Sequence, residues 1–124
     1  GMEPRPAVLI YDAECPACRA ATDWVRRNAT RPGAFEYLPC RSPGTRSRFP
    51  AIAEAACLQA MHLVLEDGTV LAGERAIPEI VRRTRRYRRA ALLFRLPGAG
   101  LASRLLYRAF AERRHRISRL FPPD

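Results

Sequence analysis

Residues Ala7-Val8-Leu9-Ile10-Tyr11 run without a break into Asp12-Ala13-Glu14-Cys15-Pro16-Ala17-Cys18, and the change of pattern across that junction constrains the fold more than any other feature. The first segment is a continuous apolar run with β-branched members, the mark of a strand buried on both faces. From Cys15 to about Asn28 the spacing becomes helical. Cys18, Ala21, Thr22, Val25 and Ala29 share one stripe, and Arg19, Asp23, Arg26 and Arg27 fall largely off it. Pro16 suits a first helical turn, where no amide donor is needed. A central strand therefore feeds a helix, and two cysteines one turn apart stand at the point of transfer.

Phe35-Glu36-Tyr37-Leu38 alternates weakly before Pro39, which a sheet tolerates at an edge or an end, so an edge strand is expected there. Arg41 to Arg48, rich in Ser, Pro, Gly and Arg, is predicted as a loop, and about Ala51 to Cys57 as a short helix. Met61 to Leu65 and Thr69 to Ala72 flank Glu66-Asp67-Gly68, the sharpest hairpin signal in the chain. Past Gly73, the positions of Ile77, Ile80, Val81 and Thr84 predict a helix over about Ala76 to Arg86, with Pro78 in its first turn. Arg88 to Leu96 and Leu101 to Arg114 are two further amphipathic helical patterns, parted by Pro97-Gly98.

Strand, helix, strand, helix, hairpin, helix is the minimal plan of an α/β thioredoxin-like sheet, with the first and third strands central and here a C-terminal helical extension. A length of 124 residues suits one such domain. The expected division is a thioredoxin-like domain over 7–87 and a helical extension, packed on or beside it, over 88–114. Residues 1–6 and 115–124 are expected to be flexible, and Gly1 before Met2 reads as a cloning remnant.

The junction carries the chemistry. A thiolate at a helix N-terminus is stabilised by unpaired amides and the positive end of the macrodipole, so Cys15 is expected to be the more acidic, more accessible and attacking sulfur. Cys18, one turn later on the core-facing stripe, is placed to resolve the mixed disulfide formed at Cys15. Two roles stand open for Asp12: taking the proton of Cys18 through water or a short network, or closing the turn by accepting backbone amides. Glu14 opposes a thiolate at Cys15 and Arg19 favours it. Trp24, off the main stripe, either flanks the dithiol or, more in keeping with its position, covers a neighbouring helix.

Cys40 and Cys57 lack the paired spacing and nearby histidines of a zinc site. They read as core cysteines, with a second redox pair or a regulatory disulfide as the alternative. His62 and His115 read as structural or solvated. No organic cofactor and no metal is implied. Two other classes stay open: a non-catalytic binding module whose arginine-rich end is the functional surface, and, behind it, a metal-thiolate protein.

Every basic residue is arginine, and the net charge of +10 is unevenly placed. From Ile80 to Asp124 thirteen arginines face Glu112 and Asp124, giving +11, while residues 1–79 carry nine arginines and ten acids. The apolar residues Leu92, Leu93, Phe94, Leu96, Leu101, Leu105, Leu106 and Phe110 are interleaved with those arginines. Either they pack on the sheet and leave a solvated cationic rim, or the region meets an anionic membrane surface or an acidic protein. Nucleic acid is not expected, since no reading motif accompanies the charge. The run Ala7 to Tyr11 is too short for a signal core, which points to a cytoplasmic protein, peripheral to the membrane if the basic end binds it. In a reducing compartment closely spaced cysteines are catalytic or metal-binding more often than structural.

The segment from Val8 to Cys18, with Asp12, Cys15 and Cys18, resembles the motif of the DCC family of predicted thiol-disulfide oxidoreductases, named for one Asp and two Cys. The resemblance extends through His62-Leu63-Val64-Leu65-Glu66-Asp67-Gly68 to Leu96-Pro97-Gly98. It implies a thioredoxin-like fold and dithiol exchange with a disulfide or thiol substrate. Ala13 stands where that family commonly has glycine. Leu58-Gln59-Ala60-Met61 stands where typical thioredoxins have a cis-proline beside the dithiol, so the usual backbone docking of a peptide is not expected.

Overall fold

The computed structural model describes residues 5–119, the side chain of His115 excepted. Strand β1 (Ala7–Tyr11) distributes its side chains to two apolar layers. Ala7 and Leu9 join Val25, Phe35, Leu63 and Ile80 on one side, and Val8 and Ile10 join Cys40, Cys57 and Val64 on the other. This is the period of two that a strand buried on both faces requires. Leu9 and Ile10 are wholly removed from solvent, each contributing about 1.5–3 kcal/mol by transfer.

Helix α1 (Pro16–Asn28) starts at the N-cap residue Cys15 and buries Ala17, Thr22 and Val25. Strand β2 (Phe35–Pro39) returns parallel to β1, with Tyr11 opposite Pro39. Strand β3 (His62–Val64) lies antiparallel on the other side of β1, and β4 (Val70–Ala72) pairs with β3 through the hairpin. The order β2-β1-β3-β4 makes β1 and β3 central and β2 an edge. The sheet, its helices and the C-terminal helix form the thioredoxin-like α/β fold that the element order predicts. At the hairpin, Gly68 takes a φ of +92°, the left-handed backbone that glycine adopts without a Cβ penalty.

Three local expectations are corrected. The predicted loop 41–48 contains a short helix, α2 (Pro43–Arg48), which Pro43 opens and the buried Thr45 ties to the Pro39 carbonyl at 2.8 Å; this tertiary bond outweighs a composition typical of loops. The next helix, α3 (Glu54–Gln59), begins three residues late, because Ile52 N–H closes a turn on the Phe49 carbonyl at 3.0 Å. After a 3-10 turn over Gly73–Ala76, α4 (Ile77–Arg82) stops well short of Arg86. The backbone beyond it is used elsewhere: Thr30 N–H bonds the Arg83 carbonyl and Arg85 N–H the Asn28 carbonyl, both at 2.9 Å, tying it to the end of α1.

The extension comprises a 3-10 helix, Arg88–Arg95, and α5 (Ala99–Ser118), which follows Gly98. Helix α5 continues to Ser118, within the stretch 115–124 expected to be flexible; residues 1–4 and 120–124 lie outside the described residues. It crosses the 3-10 turn at Gly73, where a Cβ would stand 3.3 Å from the Tyr107 ring. Glycine at that site thus satisfies both a φ of +60° and the close approach of α5. Among the described residues no helix is long and apolar enough to cross a membrane.

Candidate active site

The C-terminal end of β1 delivers Asp12, Cys15 and Cys18 to one corner of the molecule. Asp12 is buried, and its Oδ1 accepts the Glu14 N–H at 3.0 Å, the turn-closing bond open to it from the sequence. Cys15 caps α1, and its Sγ accepts the Cys18 N–H at 3.3 Å. The bond gives that sulfur one of the helix-start amides that have no partner within the helix. Ala13, in the glycine position of the resembling family, keeps a negative φ, so the tight loop needs no glycine.

The structure adds four side chains that the sequence does not single out. Arg41, next after Cys40, places Nη1 2.8 Å from Asp12 Oδ1 and 2.8 Å from Glu14 Oε2. The other three come from α5. Tyr107 Oη accepts the Met61 N–H at 3.0 Å, so the backbone just before β3 is already occupied. Arg114 Nη1 lies 3.7 Å from Asp12 Oδ2 and 3.9 Å from Cys18 Sγ. Ser118 Oγ lies 3.7 Å from Cys15 Sγ and accepts the Ala17 N–H at 3.2 Å. Spacings of seven and four residues put these three on one face of α5.

This face reverses the expected accessibility of the two sulfurs. Cys15 is only 5% exposed, because the last turn of α5 covers it. Cys18 is partly exposed and, with Asp12, Met61, Tyr107, Phe110 and Arg114, lines a mostly apolar cavity of about 160 Å³. Burial, then the hydrogen bond and charge of Cys15, push the Cys18 thiol up to about 12, and the Arg114 cation opposes that rise. Burial likewise raises the Tyr107 phenol. Arg19 donates to the Ala13 carbonyl at 2.7 Å and so helps hold the loop.

The remaining candidates lie apart from the dithiol. Trp24 packs on Tyr87 with ring centroids 5.5 Å apart, covering a neighbouring element. His62 is buried in β3 with Nδ1 2.8 Å from the Ala60 carbonyl oxygen; His115 has no described side chain. Cys40 and Cys57, expected as core cysteines with a disulfide among the alternatives, are both in the core and joined as a disulfide. Their Cα atoms are 5.8 Å apart, within the span a disulfide bridges. Among the described residues no group of three or more His, Cys, Asp and Glu side chains is placed to hold a metal.

A thioredoxin-like sheet whose first strand runs into a helix with two free cysteines at its start defines the class of thiol-disulfide oxidoreductase-like proteins. The family model for DCC1-like thiol-disulfide oxidoreductase matches residues 9–120, and the chain belongs to that family. No curated protein and no solved structure matched the chain.

Proposed function

We propose that the protein reduces or forms disulfides through Cys15 as the attacking sulfur and Cys18 as the resolving one, with Asp12 and Arg114 preparing Cys18. The observation that carries this reading is the Cys18 N–H bonded to Cys15 Sγ at the start of α1, with Arg114 and Asp12 beside Cys18. Cys18 is more open but is held as a neutral thiol at neutral pH, a poor nucleophile toward an incoming disulfide. Attack therefore falls to Cys15, and requires the last turn of α5 to yield at Ser118.

In the reducing direction the Cys15 thiolate attacks a disulfide R–S–S–R′. The bond Cys15–S–S–R forms, the old S–S bond breaks, and R′–S⁻ leaves to take up a proton. Cys15, now in a disulfide, no longer carries a charge and accepts the Cys18 thiol hydrogen bond only weakly, which weakens two of the causes that keep Cys18 protonated. Cys18 loses its proton to the Asp12 carboxylate or to water, with Arg114 beside the developing thiolate. The Cys18 thiolate attacks Cys15 Sγ, expels R–S⁻ and leaves the Cys15–Cys18 disulfide. One substrate disulfide becomes two thiols, and two protein thiols become one disulfide.

Trapping tests this directly. Cys18→Ser is expected to accumulate mixed disulfides at Cys15 when offered glutathione disulfide or a cell extract, because attack proceeds without resolution. A Cys18→Ser protein that forms no mixed disulfide at Cys15, in conditions where the unaltered protein consumes disulfide, would overturn the assignment.

A further inference from the structure

We propose that the face built by the 3-10 helix Arg88–Arg95 and the N-terminal half of α5 docks onto an anionic lipid bilayer. The exposed large apolar side chains of the described residues are Val70 and eight others; of those eight, Trp24, Tyr87, Leu93 and Leu106 line one groove, and the other four lie on or beside the same two helices. Six are leucines between Leu92 and Leu106, each between 54% and 72% exposed; Trp24 and Tyr87 complete the set. Packing against the sheet therefore does not explain them, and a contiguous exposed apolar patch on a folded domain marks an interaction surface.

The two sides of the 3-10 helix show what the surface fits. On one side Trp24, Tyr87, Leu93, Phe94 and Leu106 line an open apolar groove of about 420 Å³. On the other, Arg82, Arg88, Arg89 and Arg95 line a cleft of about 580 Å³ together with Leu92 and a single acid, Glu79, which pairs with Arg82. On α5, Leu101 and Leu105 are one turn apart and both turned to solvent, with exposed Arg104 and Arg108 beside them. Among the described residues none of Arg88, Arg89, Arg95, Arg104 and Arg108 forms an ion pair. Their charge is available to a partner.

An apolar patch interleaved with unpaired cations, and bearing a Trp–Tyr pair, has the chemistry of a segment lying in the interface of an anionic membrane. The leucines enter the acyl boundary and the arginines meet the phosphates. Leu92, Leu96, Leu101 and Leu105 do not line the groove, so a helix bound within it would leave them exposed. A second copy of the chain would bring two surfaces of the same strong positive charge together, which opposes self-association. Since no described helix is suited to spanning, attachment is peripheral.

Co-sedimentation with vesicles of phosphatidylcholine alone, or mixed with phosphatidylserine, tests the proposal at low and high salt. The protein is expected to pellet with the mixed vesicles at low salt, to bind the neutral ones at least about tenfold less, and to be released as salt rises. Leu105→Ser with Leu106→Ser, both at exposed positions, is expected to weaken binding at least about tenfold while the thermal transition stays in place. Arg88→Glu with Arg89→Glu is expected to abolish the preference for phosphatidylserine. Absence from both pellets at low salt, equal binding to both vesicles at either salt, or a dimer in solution that the leucine substitutions dissociate would each overturn it.

Discussion

The two cysteine pairs flank the same end of β1, yet they differ in the amides and charges beside their sulfurs. Cys15 and Cys18 sit at a helix start, with an amide on one sulfur and an arginine near the other. Cys40, whose N–H bonds the Tyr11 carbonyl at 2.8 Å, is joined to Cys57 among Val8, Ile10 and Val64. Cys57 even lines the cavity that Cys18 lines. On the proposed function, the helix-start amides and nearby charges are what distinguish an exchanging pair from a cross-link held in an apolar layer.

The largest expected effect separates the pairs by activity. Cys15→Ser is expected to lower the rate of reduction of a small aromatic disulfide by at least about a thousandfold, since Cys18, the other free sulfur, is held as a neutral thiol. Replacing Cys40 and Cys57 together by Ala is expected to change that rate by less than about threefold; a loss as great as that of Cys15→Ser would erase the distinction. Stability separates them the other way. The Cys40–Cys57 link spans a sequence separation of 17, and its removal is expected to lower the unfolding free energy in urea by about 3 kcal/mol through loop closure. Cys15→Ser is expected to cost less than about 1 kcal/mol.

Within the exchanging pair the next effect lies at Cys18. Arg114→Gln is expected to slow resolution of a preformed Cys15 mixed disulfide by roughly tenfold, with partial recovery in Arg114→Lys, read by stopped-flow release of the leaving thiol. The pH dependence has a definite sign. With its pKa raised, Cys18 is protonated at neutral pH, so resolution is expected to accelerate as pH rises and more thiolate forms. Asp12→Asn, which keeps an oxygen for the Glu14 N–H, is expected to slow resolution several-fold near neutrality and less at high pH, where hydroxide removes the proton. A defect independent of pH would restrict Asp12 to closing the turn.

The smallest effect concerns the cover on Cys15. Ser118→Ala removes the hydroxyl that contacts Cys15 Sγ and accepts the Ala17 N–H. Alkylation of Cys15 is expected to quicken by about two- to fivefold, because those two contacts help hold the last turn of α5 shut. An unchanged rate would mean that apolar contacts further up α5 hold the cover.

What could be read from the sequence follows the range of the interactions involved. β1, α1 and the hairpin declare themselves through local periodicity and turn chemistry, so the fold and the positions of Asp12, Cys15 and Cys18 were legible. Arg41 was recoverable in principle: β2 runs parallel to β1 with Tyr11 opposite Pro39, and residues just past the ends of parallel strands converge. Arg114 and Ser118 were not, because their contacts to the dithiol cross 96 and 103 residues and depend on how α5 docks. The same docking hides Cys15 while leaving Cys18 open, contrary to the order that helix position alone predicts. Helix α2 escaped notice because one buried threonine, not propensity, fixes it.

The most direct test of the distinction between the pairs is a redox titration of the full chain in glutathione buffers, with each cysteine's state mapped by differential alkylation and mass spectrometry. Cys15 and Cys18 are expected to pass together from two thiols to one disulfide within the buffered range, while Cys40–Cys57 stays oxidised throughout. Cys15 and Cys18 remaining thiols at the oxidising limit, or Cys40 and Cys57 titrating in their place, would contradict it.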